Sequence, residues 1–295
     1  MIGEVRYGEP FLLRNLAVVP LSGNGREGRY YVLDEALEGG VAAVEDTGVV
    51  ESVYLEYTGD LPLFIVDGEE IVGALQNRIV NTAVLVEEPT RTELPVSCVE
   101  QGRWSGSKTF GPSRSSAYPS LRALLASSVT DSLRRRGEHL SNQGAIWRSV
   151  SSTLESFRVK SMTQSMHDVY ASLEDDINRY LEDMELPGDA VGFMAWAGGK
   201  FLGLDYFGNG ELFRKLSDKL LRSYALEAMM MGATGFPEED EIKGVLATVR
   251  RRKFREFPAV SSGIEYRYKG RDYVGRALFR GEDELLHLAF FPVPN

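Results

Sequence analysis

Short runs rich in Val, Leu, Ile and Tyr, each closed by turn-forming residues, fill the chain from Ile2 to about Val99. Leu13–Leu21, Val53–Tyr57, Leu63–Val66, Ile79–Val86 and Leu94–Val99 read as strands, because branched and aromatic side chains suit a pleated surface. Turn residues stand between them at Gly23-Asn24-Gly25, Gly59-Asp60 and Asp67-Gly68. Asp67-Gly68, between Phe64-Ile65-Val66 and Glu69-Glu70-Ile71-Val72, predicts a hairpin. Val84-Leu85-Val86, followed by Pro89 and then Leu94-Pro95-Val96, predicts a second antiparallel return. The alternation in Ser52–Thr58 implies a sheet with one packed and one wet face.

The pattern then changes. Gly102–Ser116 is Ser/Gly-rich and aperiodic, and reads as a long loop, of the kind that is usually functional when found inside a compact domain. Leu121, Leu124, Leu125, Val129 and Leu133 recur at three- and four-residue spacing, which predicts a helix over Tyr118–Arg136. Its end is marked by Arg134-Arg135-Arg136 and then Gly137. Ala145–Phe157 and Met166–Leu186 predict two more helices, the last stopping at Pro187-Gly188. Val191–Ala197 and Phe201–Tyr206 predict a hairpin turned at Gly198-Gly199. Helices follow over Glu211–Met231 and Glu238–Arg250, and Ile264–Tyr268, Tyr273–Arg280 and Leu285–Phe291 predict a closing meander. This is the order of an α+β protein: an antiparallel β-rich front, a helical middle and a mixed C-terminal part. The chain 1–295 reads as one domain, divisible into a β-rich lobe 1–116 and an α+β lobe 117–295.

Composition removes whole classes of chemistry. A single Cys98 excludes a disulfide framework and multi-cysteine zinc modules. His139, His167 and His287 are too far apart in sequence for an HExxH metal pair, so isolated structural roles are expected for them. With 43 Asp and Glu against 33 Lys and Arg, the net charge of -10 argues against broad nucleic-acid or membrane-surface binding. The N-terminal residues carry Glu4, Arg6 and Glu9 where a signal peptide needs an apolar run, and a lone reduced cysteine suits a reducing compartment. The expected location is cytoplasmic.

Motif tests narrow the field further. Gly102–Thr109 departs from a P-loop because Ser107 stands where glycine must precede the lysine. Ser105-Gly106-Ser107-Lys108 matches SxxK, but the partner motifs are missing. Gly23-Asn24-Gly25-Arg26-Glu27-Gly28 matches GxGxxG, but Arg29–Leu33 reads as strand where a dinucleotide fingerprint must open a helix. A glycine-rich hairpin turn is the plainer account. Cys98, between Val96 and Val99, reads as a small buried hydrophobe. The basic runs Arg134–Arg136 and Arg250–Lys253 read as helix C-terminal charge compensation. Ala225–Met231 reads as packed core helix, although its methionines could line an adaptable partner surface.

One segment resists a purely structural reading. Residues 67–82, DGEEIVGALQNRIVNT, place Gln76, Asn77 and Arg78 in a row between two apolar pairs. The downstream run VSCVEQGRW adds Glu100, Arg103 and Trp104 at the end of another strand. If the two strands are antiparallel neighbours, Glu70, Asn77, Arg78, Glu100 and Arg103 gather into one patch. An ion-pair network and a ligand site are equally compatible with that chemistry.

The blocks GEEIVGALQNRIVNTAVLVEEPT, LPVSCVEQGRW and GKFLGLDYFGNGELFRKLSDKLLRSYALEA resemble the family of ADP-ribosylglycohydrolase and rhodanese-phosphatase-superfamily-associated proteins. The resemblance spans most of the chain and is most specific at the QNR and VEQGRW blocks. The family pattern matches Glu69, Glu70, Gln76, Asn77, Arg78, Glu100, Arg103, Trp104 and Asp205. It carries no assigned catalytic residues, and its name implies a link to NAD or ADP-ribose metabolism.

Three readings follow. In the first, Gln76, Asn77, Arg78, Arg103 and Trp104 bind a nucleotide-like small molecule, with the arginines on phosphate or carboxylate and Trp104 stacked on a ring. In the second, Glu70 and Glu100 act as an acid/base pair on a phosphoester or N-glycosidic bond, or hold a divalent cation with Asp205. In the third, the chain is a non-catalytic partner protein. No cofactor and no metal site is indicated by motif, and a homo-oligomer is compatible with the helices.

Overall fold

The computed structural model describes residues 3–232 and 235–294, so Ile2, at the start of the predicted β-rich front, lies outside the described residues. The front holds β1 (Val5–Tyr7), β2 (Phe11–Leu13), β3 (Leu16–Gly23), β4 (Tyr31–Val32), α1 (Leu33–Glu38), β5 (Ala42–Asp46) and β6 (Ser52–Tyr57). It continues through β7 (Leu63–Ile65), β8 (Glu70–Gly73), β9 (Arg78–Val80), β10 (Val84–Val86), β11 (Thr90–Cys98) and β12 (Thr109–Gly111). The middle is helical: α2 (Pro119–Arg136), α3 (Gln143–Phe157), α4 (Met166–Ser172) and α5 (Glu174–Leu181). Then come β13 (Ala190–Ala197), β14 (Lys200–Phe207), α6 (Gly210–Met229) and α7 (Glu239–Arg251). β15 (Arg255–Pro258), β16 (Ile264–Lys269), β17 (Tyr273–Arg280) and β18 (Glu284–Pro292) close the chain. The protein is α+β.

Among the described residues, the largest sheet has nine strands in the order β1-β3-β13-β14-β18-β17-β16-β15, with β2 also paired to β3. It is antiparallel throughout, and three strands from the front of the chain thereby join the C-terminal strands. Every residue of β13 is buried. The reason is that both faces are covered. Leu212, Leu216, Leu220 and Tyr224 of α6 pack with Phe193 and Ala195 on one side. Ile242, Val245 and Val249 of α7 pack with Met194 and Trp196 on the other. The Gly198-Gly199 hairpin is formed as expected, with Ala197 opposite Lys200 and both glycines at positive φ. Gly137 ends α2 at φ 74°, where a side chain would be strained.

The remaining front strands close a barrel in the order β11-β6-β5-β12-β8-β9, beside a small sheet β10-β7-β4. Val44, Leu55, Ile71, Val80, Val96 and Phe110 fill its interior. In Ser52–Tyr57 the exposed Tyr54 and Glu56 alternate with buried Val53, Leu55 and Tyr57.

Three local expectations are corrected. β7 and β8 do not form a hairpin across Asp67-Gly68: β7 pairs with β10 and with β4, whereas β8 pairs with β9 and β12. Gly68 turns the chain at φ 76°, but the Asp67 carboxylate is drawn into a buried ion network with Arg122 and Arg276, and the chain leaves one sheet for the other. β10 and β11 do not return on each other either, because β11 is held by β6 on one edge and β9 on the other. Gly23–Gly28 is likewise no hairpin turn. Gly23 is the last residue of β3, and Asn24–Gly28 is a loop leading to β4, which runs parallel to β7 instead of back along β3. Two predicted elements are interrupted: Ile79–Val86 becomes β9 and β10, and Met166–Leu186 becomes α4 and α5, meeting at Leu173.

Candidate functional site

The juxtaposition on which the polar patch depended is present. β9 and β11 are antiparallel neighbours, with Val80 opposite Val96 and Arg78 opposite Cys98. The residues just past this pairing, Gln76-Asn77 on one strand and Glu100 on the other, therefore meet. Gln76 Nε2 donates to the Glu100 carbonyl at 2.8 Å, and the Asn77 backbone N–H donates to Glu100 Oε2 at 3.0 Å. Arg103 closes the group with a two-pronged contact on Glu100, Nε to Oε1 at 2.8 Å and Nη2 to Oε2 at 2.6 Å. Its Nη atoms also donate to the carbonyls of Gly73, Ala74 and Ser105 and to Asn77 Oδ1. Every nitrogen of this guanidinium is engaged within the protein. Burial pushes the Glu100 carboxyl up, but the Arg103 and Asn77 donors outweigh it and hold the group below its ordinary value.

This knot fixes the segment that leads into α4. Gly102 N donates to the Thr163 carbonyl at 2.7 Å and Met166 N to the Val99 carbonyl at 2.9 Å, while Asn77 Nδ2 reaches Ser165 Oγ at 3.3 Å. Ser165 in turn caps α4 by accepting from His167 N. His167 is thereby placed over β8, where its Nδ1 lies 3.1 Å from Glu70 Oε2. The same carboxylate oxygen accepts from Ser113 Oγ at 2.6 Å. Because a carboxylate oxygen can only accept, Nδ1 carries the proton and Nε2 is the free ring nitrogen. Glu70 is wholly buried and its Oε1 has no partner among the described residues, whereas the His167 side chain is 42% exposed. The Glu70 hydrogen bond, stronger than the opposing effect of burial, raises the His167 pKa above its ordinary value.

Glu70 and Arg78 diverge because strand side chains alternate. Arg78 shares the face of Val80 and points into the barrel, with Nη1 donating to the Val50 carbonyl at 3.1 Å and Nη2 3.7 Å from Asp46 Oδ2. Its Nε and Nη2 have no hydrogen-bond partner among the described residues. The half-exposed Trp104 ring lies over the guanidinium, 5.7 Å from centroid to carbon. Cys98 is buried as expected, and burial raises its thiol pKa.

Of the predicted site residues, Gln76, Asn77, Glu100 and Arg103 form the knot. Glu70 stands beside it across the Ser165–His167 segment, and Arg78 with Trp104 occupies the barrel end. Glu69 and Asp205 lie elsewhere. Glu69 pairs with Lys219, and burial raises its carboxyl to about 7. Asp205 belongs to a fully buried group with Arg122, His287 and Tyr224, so it does not join Glu70 and Glu100 around a cation. Among the described residues no three His, Cys, Asp or Glu side chains are placed to hold a metal ion. No helix is long and apolar enough to cross a membrane among those residues.

His167 and Ser113 were not singled out by sequence. The Ser/Gly-rich character of Gly102–Ser116 was the available signal for Ser113; His167 lies 97 positions from Glu70 and carried none. The long loop also contributes β12, which closes the barrel.

Comparison with known proteins matches no curated protein and no solved structure. A family model does match, over residues 4–291, and it covers nearly all the elements described here. The chain belongs to the family of the ARG and rhodanese-phosphatase-superfamily-associated protein domain.

Proposed function

We propose that the protein binds and processes a nucleotide-like small molecule of ADP-ribose type, with Glu70 and His167 as its proton-handling pair. A buried carboxylate that fixes one imidazole nitrogen and leaves the other toward solvent is the arrangement a general acid or base requires. The observation that carries the reading is the Glu70–His167 contact: Oε2 engaged, Oε1 unpartnered and buried, and the imidazole half-open. The family name supports the substrate class, with ARG read as ADP-ribosylglycohydrolase.

Roles then divide among the remaining residues. Glu100 and Arg103 are saturated by each other and by backbone carbonyls, so they serve as the brace that holds the Ser165–His167 segment over β8. Arg78 Nε, buried beneath Trp104, has no hydrogen-bond partner among the described residues and is the donor for an anionic group of the ligand, with the indole as a stacking surface. A thermal-shift series with ADP-ribose, NAD, mononucleotides and ribose phosphates tests this reading. At least one member of the series raises the melting temperature of the wild type, and Trp104→Ala diminishes that rise. If none of them moves it, the reading fails.

A further inference from the structure

A cavity of about 470 Å³ lies between the N-terminus of α2, the β13–β14 hairpin, the C-terminal end of α6 and the last residues of β18. Phe201, Leu202, Tyr273, Pro292 and Val293 give it apolar walls. Glu227 of α6 also lines it. This carboxylate is only 6% exposed and has no cationic partner among the described residues. Its hydrogen bond, from Ser120 N at 2.7 Å, comes from the first turn of α2. Burial raises the carboxyl to about 7, with Ser120 opposing that rise. The other charged residues of the lining are Lys200 and Asp272, both exposed.

We propose that this cavity is a ligand site for an organic cation, an ammonium group on a short apolar or aromatic chain, with Glu227 as its counter-ion. A buried carboxylate without a cation is costly, and a bound ammonium supplies the missing charge. The apolar walls select the rest of the ligand, and the volume is that of a small-molecule pocket. This site is independent of the Glu70–His167 reading.

The test is calorimetric titration of the full chain with phenethylamine and with its neutral counterpart 2-phenylethanol. The amine binds the wild type on the order of tenfold more tightly than the alcohol, as a charge-assisted hydrogen bond implies. Glu227→Gln, which keeps an acceptor for Ser120 N, removes that preference. Val293→Trp adds bulk to the cavity wall, and abolishes binding in a chain whose Glu227 is intact. Equal affinity for amine and alcohol, no binding of the amine by the wild type, or an amine preference that survives Glu227→Gln would each overturn the proposal.

Discussion

His167 Nδ1 meets the buried Glu70 Oε2 at 3.1 Å, across a gap closed by the Ser165 helix cap and the Glu100–Arg103 knot. The pairing joins the barrel to the helical middle, and it gives the protein a histidine whose charge is coupled to folding. Because the folded pKa of His167 is raised above the ordinary value near 6.5, its contribution is present in full below that value. It is lost as pH rises through the folded pKa. Urea denaturation at several pH values from 5.5 to about 9 checks this. The wild type loses stability relative to His167→Gln across the window, and a pH-independent difference would refute the coupling.

The deepest ionic group has a different part. Arg122 bridges Asp67 and Asp205, at 2.9 and 2.7 Å, and His287 donates to Asp205 at 2.8 Å. These residues come from the barrel side, α2 and the large sheet, and all are buried. Burial would raise the Asp205 carboxyl, but Arg122 and His287 hold it well below the usual carboxylate range. His287 is driven the other way, down to about 3 by burial and Arg276, so it stays neutral. Arg122→Ala therefore costs about 3–5 kcal/mol in chemical denaturation, since Asp205 is left buried without its arginine and Asp67 keeps only Arg276. A loss under about 1 kcal/mol would show that the group is not what joins the layers.

The knot and the indole are separable by mutation. Arg103→Ala strips Glu100 of its two-pronged partner and leaves the carbonyls of Gly73 and Ala74 short of a donor, costing on the order of 2 kcal/mol. Trp104→Ala, at a half-exposed position, changes stability by less than about 1 kcal/mol. Ligand binding responds in the opposite order: Trp104→Ala weakens it directly, whereas Arg103→Lys acts through the position of His167. Differential scanning fluorimetry on the apo forms, followed by titration, distinguishes the two.

Glu227 provides a pH signature of its own. Its folded pKa, near 7, stands above its ordinary value of 4.5, so the folded state binds more protons than the unfolded one between those values. Stability therefore falls as pH rises through that window. Glu227→Gln removes a component on the order of 3 kcal/mol, visible as a flatter profile from pH 4.5 to 7. A variant with an unchanged slope would contradict it.

What could be read from sequence was what local chemistry decides. Gly137 past three arginines, Gly198-Gly199 between apolar runs and the meander turns each name their conformation without help from distant residues. The meeting of Asn77, Glu100 and Arg103 was legible because one antiparallel pairing sufficed to bring them together. The Asp67-Gly68 turn misled because Asp67 answers to Arg122 and Arg276, and no local rule reports partners so far along the chain. His167 was hidden for the same reason. Its partner Glu70 faces it only because β8 sends alternate side chains outward and a serine cap sets the start of α4. The split of Arg78 from Glu70 follows from strand alternation, once the barrel assigns one face to the interior.

The central claim is that Glu70 and His167 move a proton on a nucleotide-like substrate. Its most direct test is mass-spectrometric detection of product after incubating ADP-ribose, NAD and mononucleotides with wild type, His167→Asn and Glu70→Gln. The wild type converts at least one compound, and conversion falls 100-fold or more in both variants, the range of a lost general acid or base. Undiminished turnover in His167→Asn, or a wild type that converts none of them, would contradict it.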